Sequence, residues 1–475
     1  MPLTVNKFLC WCHGFERADL EKSMRLFKKL RYIFITFFWL LSVSVLAQEQ
    51  FDLSECLVHT LNNSPKLRAE KLSQEKETAT LYEQKSKYLP QVDAFLNYSN
   101  YFNDLPTYIF PQAEGSNLSG VPQSGPYAIG LGLPQNLNTG LEINQTIFDM
   151  NFFGNSTLNQ HFQTYQDLKL SIAEEEVLYQ VAVLFYQIAI NEETAKFLDS
   201  NLERLVKLQS IVRLQVDQGF AKETDFEKLL VKTSNLKSKK NKLNSGINQQ
   251  IRYLKLMMGM PQAEEISIQY EAESGLNQEM ISMEKGEFLE EKMMKEQKIL
   301  NVMNAKKIDA NYYPKLQAYA AFLFQAQRER FNFLESNQDW YNVHQWGIKL
   351  SVPIMHGFEK RNKKEIAEIV DAQLAFGIEQ KQAQSELELQ QAVLDLEVAR
   401  EEQVSQEENV LLAEKIFKQA ELSYGQGTTL LMDFLDAEST LRESKMIYAT
   451  AMLDTKMAEL KILKASGNLK ELVNQ

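Results

Sequence analysis

The chain has 475 residues, 24% of them charged and 44% apolar, with a formal net charge of −12. That acidity excludes a nucleic-acid binder working through a basic surface. Three cysteines and five scattered histidines give neither a disulfide framework nor a metal-ligand spacing, so no metal or other cofactor is expected.

Arg25, Lys28, Lys29 and Arg31 precede an apolar run from Ile33 to Leu46, which closes in Val45-Leu46-Ala47. A charged segment, an apolar segment and a small-residue end are the pattern of a cleaved secretory signal. As a helix the run would span only about 21 Å, short of a ~30 Å hydrocarbon core, so residues 1–47 read as a signal rather than an anchor. Met24 is taken as the true start, residues 1–23 as an upstream extension, and Gln48 as the mature N terminus. Cleavage removes a surplus of four positive charges and leaves −16. Cys10 and Cys12 depart with the signal, and Cys56 remains alone.

Residues 48–259 form a first unit. A helical stretch from Phe51 to Tyr88, broken near Ser64-Pro65, stops at Tyr88-Leu89-Pro90. The apolar period then changes to two, and Val92, Ala94, Leu96 and Tyr98 alternate with Asp93, Phe95, Asn97 and Ser99, which predicts a strand over about 92–102. Residues 104–136 hold five prolines and five glycines and read as a long loop. A second strand is expected at about 137–148, with Leu137, Thr139, Leu141, Ile143 and Ile147 on one face. Asn138, Gly140, Glu142, Asn144 and Thr146 lie on the other. A helical hairpin follows over about 154–258. Its apolar residues recur at Leu178, Val181, Phe185 and Ile188 and at Leu198, Leu202, Leu205 and Leu208, the spacing of a coiled-coil seam. The hairpin turns at Gln218-Gly219 and ends at Gly259-Met260-Pro261.

Residues 260–286 read as a polar, irregular linker. The second unit, 287–475, repeats the first: a helix stopped at Tyr312-Tyr313-Pro314, strands at about 316–327 and 343–352, and a hairpin over about 357–465. Its turn runs from Tyr424 through Gly425, Gln426, Gly427 and Thr428. It mirrors the first at an offset of 208, with Asp433-Phe434 answering Asp225-Phe226. The two glycines are expected to supply positive φ and stop the incoming helix, and Thr428 or Thr429 to cap the outgoing one.

Four strands with one apolar and one polar face cannot close a barrel alone. Either they make two small soluble hairpins, or several chains share one barrel. Helices of some 60 residues cannot fold back on one globular core. The stretch 387–398 carries two offset seams, Leu387, Leu394 and Val398 beside Leu389, Val393 and Leu396, which suits either neighbours on both sides, as in a ring of helices, or one broad buried face of a bundle helix. Asp433, Asp436 and Glu438 read as helix surface and as acids near a helix N-terminus, and no residues meet the geometry of catalysis, so the chain is not expected to be an enzyme.

These landmarks resemble the TolC-type outer membrane efflux proteins. The resemblance is carried by Tyr88-Leu89-Pro90-Gln91-Val92, Gln145-Thr146-Ile147-Phe148-Asp149, the Gln218-Gly219 turn, Tyr313-Pro314, Val352-Pro353-Ile354 with Gly357, and Tyr424 to Arg442. It covers the mature chain. The resemblance implies a mainly α protein with transmembrane β: a homotrimeric twelve-stranded barrel, four strands per chain, in the outer membrane of a Gram-negative bacterium, continued by a long periplasmic α-helical barrel. It further implies a passive exit duct of a tripartite efflux or type I secretion system. The expected partners are a periplasmic adaptor, an inner-membrane pump of the RND or ABC type and outer-membrane lipid, with no nucleic acid. Adaptor docking is then expected at Gln218, Gly219, Asp225, Gly425, Gln426, Gly427, Thr428 and Asp433. The channel lumen is expected at Asp93, Asn97, Glu142, Asn144, Gln345 and Lys349. The family's acidic constriction has Glu421 as its candidate here, although Lys418 one turn earlier departs from a simple carboxylate ring. A soluble periplasmic coiled-coil scaffold or adaptor is the alternative that shares the helices but not the duplicated strand pairs.

Overall fold

The computed structural model describes residues 49–101, 107–110, 127–130, 133–153, 155–270 and 288–474. The expected signal, most of the expected loop and much of the expected linker lie outside them. The chain divides into two units. In the smaller, β1 (Glu49–Phe51) pairs in parallel with a second short strand, Ile266–Ile268. Phe51, expected to open a helix, is therefore in a strand, and the linker is not wholly irregular: Ile266-Ser267-Ile268 alternates, and Ile266 is buried.

The larger unit begins with α1 (Leu53–Asn63) and α2 (Pro65–Ser86). Pro65 stands in the first turn of α2, where its missing N–H costs nothing. Next come β2 (Gln91–Asn100), β3 (Thr107–Phe110), β4 (Tyr127–Gly130) and β5 (Gln135–Phe148). β3 and β4 form a small antiparallel ladder inside the stretch expected to be loop only. Tyr108-Ile109-Phe110 and Tyr127-Ala128-Ile129 carry enough β-forming residues to pair despite the surrounding Pro and Gly.

A short α3 (Met150–Phe153) leads to α4 (Asn155–Asp217) and α5 (Glu223–Met258). The earlier Ile266–Ile268 strand is β6. After it come α6 (Leu289–Ala310), β7 (Lys315–Arg328), β8 (Tyr341–Ser351), α7 (Glu359–Gly425), α8 (Leu431–Ser466) and a 3-10 turn, Leu469–Asn474. At 63 and 67 residues, α4 and α7 are each about 95–100 Å long. No helix among the described residues is long and apolar enough to cross a membrane.

β2, β5, β7 and β8 form one antiparallel sheet in that order, leaving one side of β2 and one side of β8 without a strand partner among the described residues. Its register matches the period-two pattern except at one place. A bulge between Thr146 and Phe148 puts Phe148, rather than Ile147, opposite Leu316 on the apolar face.

The helices pack along the predicted seams. Leu178, Val181, Phe185, Ile188, Leu198, Leu205 and Leu208 of α4 are all buried. On α7 one of the two seams is covered: Ala392 and Leu396, with Val393 beside them, pack on Ala458 and Ile462 of α8. The other is bare, with Leu387, Leu394 and Val398 each at least 60% exposed.

Candidate functional site

The sheet and the two hairpin turns carry the residues singled out from the sequence. Across the sheet, Asp93 stands opposite Glu142, Glu142 opposite Ala321, and Ala321 opposite Gln345. Asn97 pairs with Asn138, Asn144 with Tyr319, and Lys349 with Gln317. Directly paired residues share a face, so Asp93, Asn97, Glu142, Asn144, Gln345 and Lys349 all lie on one side of the sheet. The opposite side presents Val92, Leu96, Leu141, Phe322, Phe324, Trp346, Ile348 and Leu350, all exposed in the single chain. An exposed apolar face beside a polar one on the same unclosed sheet is not how a soluble protein finishes a surface.

The turn between α4 and α5 and the turn between α7 and α8 have the same backbone. Gln218 N–H donates to Leu214 O and Gln426 N–H to Leu422 O; Gly219 donates to Val216 and Gly427 to Tyr424; Phe220 donates to Gln215 and Thr428 to Ser423, over 2.8–3.1 Å. Each bond recurs 208 residues later, and the six-to-one and five-to-two pattern is that of a glycine C-cap. Gly219 and Gly427 take it up at φ 75° and 72°. Gly425 does not have positive φ: it is the last helical residue of α7. The expected threonine cap is also absent. Leu430 occupies the N-cap of α8 without a side-chain bond, and the Thr428 hydroxyl instead donates backwards to Ser423 O at 3.0 Å. Ser423 O thus accepts from both the backbone N–H and the hydroxyl of Thr428, a second bond that ties the turn to the end of α7.

Asp225 and Asp433 sit in the first turns of α5 and α8, where a carboxylate meets the positive end of the helix dipole. Gln218, Gln426, Thr428 and Asp433 are exposed, and Asp225 is half-buried. Phe220, immediately beyond Gly219, is 83% exposed, and Leu430 is 72% exposed. Glu421 is exposed on the last full turn of α7, with Lys418 exposed one turn earlier.

The two turns belong to one packed body. Val216 and Phe226 from the first hairpin and Phe417, Tyr424, Phe434 and Leu435 from the second share an apolar cluster. Tyr424 stacks on Phe434 at 5.5 Å, and its hydroxyl donates to Gln215 Oε1 at 3.3 Å. Burial, and then the nearby Asp225 carboxylate, raise the Tyr424 phenol above its ordinary pKa, so it remains a hydrogen-bond donor. Further along, Lys232 donates to Leu435 O at 3.0 Å and meets Asp436 at 3.6 Å.

The deepest polar contact between the hairpins corrects one expectation: Asp433 and Asp436 are helix surface, but Glu438, read with them as surface, is buried because it falls on the apolar seam of α8 and is paired there. Buried Asn201 donates through Nδ2 to Glu438 at 2.6 Å, and Glu438, 3% exposed, also accepts two bonds from Arg442 at 3.0 Å. Arg204 donates to Asn201 Oδ1 at 2.6 Å. A signal was present. Asn201 falls between Leu198 and Leu205, and Glu438 between Leu435 and Leu441, so each is a polar residue inside an apolar seam. Among the described residues, no group of three or more His, Cys, Asp or Glu is placed to hold a metal ion.

Residues 303–468 match the family model of outer membrane efflux proteins. No curated protein matches the chain by sequence. The fold is similar to that of the Campylobacter jejuni CmeC outer membrane channel, at TM-score 0.67 and 13% identity over 88% of this chain and 85% of that one. It is also similar to the outer membrane protein VceC of Vibrio cholerae, at TM-score 0.61 and 13% identity over 87% and 96% of the two chains. The open Neisseria gonorrhoeae MtrE outer membrane channel aligns at TM-score 0.61 and 14% identity over 88% and 89%.

Proposed function

We propose that this chain, similar to the outer membrane efflux proteins in sequence over residues 303–468 and to their channels in fold over most of its length, is the exit duct of an efflux or type I secretion system. The protein is an outer membrane efflux channel that extends into the periplasm, and its family is one of channels rather than enzymes. Translation starts at Met24, and the signal over residues 24–47 is removed on export. Three copies complete a twelve-stranded barrel, with the face of Asp93, Glu142, Gln345 and Lys349 towards the lumen and that of Trp346 and Ile348 towards lipid. Cargo crosses passively, driven by an inner-membrane pump that an adaptor joins to the two hairpin turns. Glu421 stands at the constriction.

One observation carries this reading: the chain leaves unpartnered what a neighbouring copy would cover. Among the described residues β2 and β8 each have one edge without a strand partner, and a bare edge is not tolerated against lipid. Down α7, the exposed Ile369, Phe376, Leu387, Leu394, Leu412 and Ile416 are spaced by 7, 11, 7, 18 and 4 residues, each close to a whole number of 3.6-residue turns. They lie along one side of the helix in two apolar patches, from Ile369 to Leu394 and at Leu412 and Ile416, each a surface for a helix of the next chain.

Two measurements on the same strains test the proposal. Purified in detergent, the protein has the mass of a trimer; a stable water-soluble monomer overturns the barrel and favours a periplasmic scaffold. Gly427→Val puts a β-branched residue at positive φ. It leaves trimer yield unchanged but abolishes export, so cells retain cargo, and Asp433→Arg does the same more mildly. Normal export by Gly427→Val removes the turns as the docking surface. Loss of assembly assigns the turn to folding alone.

A further inference from the structure

The segment between β8 and α7 reads Val352-Pro353-Ile354-Met355-His356-Gly357-Phe358. It continues from the exposed apolar row of β8, Trp346, Ile348 and Leu350, and stays apolar and exposed: Ile354 is 94% exposed, Met355 75% and Phe358 66%. A short apolar loop would ordinarily fold back onto the nearest surface; this one stays exposed and ends in a tight backbone turn. Gly357 and Phe358 both have positive φ, 54° and 62°, and Phe358 is the one non-glycine residue with that conformation among the described residues. A bulky side chain there is strained. The turn is fixed by Glu359 N–H donating to His356 O and Asn362 N–H donating to Phe358 O, both at 3.0 Å.

The surroundings are aromatic and cationic. Tyr312 and Tyr313 at the end of α6 are each 51% exposed, and the Lys360 ammonium lies 4.4 Å from the centre of the Tyr312 ring. A hollow of about 460 Å³ is lined by Lys315, His356, Lys360 and Lys363 beside Ser351 and Glu359. Three of the local cations face carboxylates: Lys315 meets Asp149 at 2.9 Å, Lys363 meets Glu359 at 2.6 Å and Lys364 meets Asp309 at 3.1 Å. Lys360 donates to the neutral Asn311 carbonyl, and Arg361 is exposed, so the cluster keeps a positive surplus. Protruding aliphatic and aromatic side chains ringed by surplus Lys and Arg match a boundary between acyl chains and anionic headgroups.

We propose that residues 352–358 insert into the phospholipid leaflet on the side where the helices leave the sheet. Ile354, Met355 and Phe358 enter the acyl region, and Lys360 and Arg361 meet lipid phosphate. The proposal rests on the reading above that the apolar sheet face lies in lipid, and the experiment separates the two. The full-length exported protein is reconstituted in phosphatidylethanolamine–phosphatidylglycerol vesicles with brominated acyl chains, which quench tryptophan on contact. Trp346 of a Trp340→Phe variant reports the sheet. A single tryptophan introduced as Ile354→Trp, in a Trp340→Phe, Trp346→Phe background, reports the loop. Both lose emission in brominated lipid, the loop more to bromine near the headgroup and Trp346 more to deep bromine. Lys360→Gln with Arg361→Gln reduces quenching of the loop tryptophan and leaves that of Trp346 unchanged. Trimer mass in detergent is the folding control for every variant. A loop tryptophan that stays unquenched while Trp346 is quenched overturns the insertion and leaves the barrel standing. The loop then faces water if its emission is red, or a neighbouring copy if it is blue. No quenching at either position overturns both.

Discussion

Gly427 and Gly259 make a controlled pair. Both follow a long helix at left-handed φ, 72° and 75°. Around Gly427 a Cβ would meet open space, whereas at Gly259 it would collide with the Asn63 carbonyl and sit 3.2 Å from Pro65 Cδ. Gly427→Ala therefore costs only the strain of an L residue in that conformation, about 1–2 kcal/mol. Gly259→Ala carries the same strain and must also move the junction of α1 and α2, which overpacking places at about 1–3 kcal/mol more. Native-state hydrogen exchange of the detergent-solubilised protein reads both. In Gly427→Ala, amides of residues 422–433 exchange about 5–30-fold faster, and the sheet and the first hairpin are unchanged. In Gly259→Ala the effect is larger and spreads into α1, α2 and the end of α5. Equal effects at the two sites would refute the argument, because they would mean that the Asn63 contact contributes nothing.

Three further outcomes follow from particular contacts. Glu438→Ala strands the mostly buried Arg442 and the Asn201 amide, and loss of one partner of a buried ion pair costs about 3–5 kcal/mol; thermal dissociation of the assembly in detergent reads it, and Glu438→Gln is milder because it still accepts from Asn201. Burial pushes the Asp149 carboxyl up, but bonds from the Asn151 backbone and side chain and from Lys315 outweigh it and hold it below 3.8. A depressed carboxylate stabilises the fold above its unfolded pKa and loses that contribution as pH falls through the folded value, so the stability gap between wild type and Asp149→Asn, measured by thermal unfolding, is full near pH 6 and closes below about pH 3.8. Cysteines placed at Glu142, Gln345 or Lys349 react with aqueous thiol reagents in the membrane-inserted protein, and cysteines at Leu141 or Ile348 do not; the reverse pattern would mean the sheet is turned inside out.

The strands and long helices were legible because their apolar periods are set by local geometry, two in a strand and about 3.6 in a helix. What was not legible depends on a distant partner. The bulge after Thr146 is invisible in β5 alone, where Ile143 and Ile147 keep the alternation; it exists only against Leu316 and Gln317 of β7. Two glycines two residues apart do not say which one leaves the helix. Gly425 remains in it, and Gly427, whose N–H bonds Tyr424 O, takes the positive φ. Thr428 has a hydroxyl that suits either helix end, and it serves the incoming one. Asn201 and Glu438 are 237 residues apart, so their pairing is a fact of tertiary packing even though each is conspicuous in its own seam.

The order β2-β5-β7-β8, antiparallel throughout, has a consequence of parity. An even number of alternating strands brings its two outer strands out in opposite directions. If β8 of one copy meets β2 of the next, as the proposed barrel requires, the new pair is therefore antiparallel like every pair within a chain. An odd count would force a parallel seam at each junction, with a different bond pattern from its neighbours. Duplicating a two-strand unit guarantees evenness, so the repeat makes every seam of a closed ring equivalent in direction whatever the number of copies. In the barrel proposed above, the size of the ring would then be left to the curvature of the sheet and to the exposed apolar residues of α7.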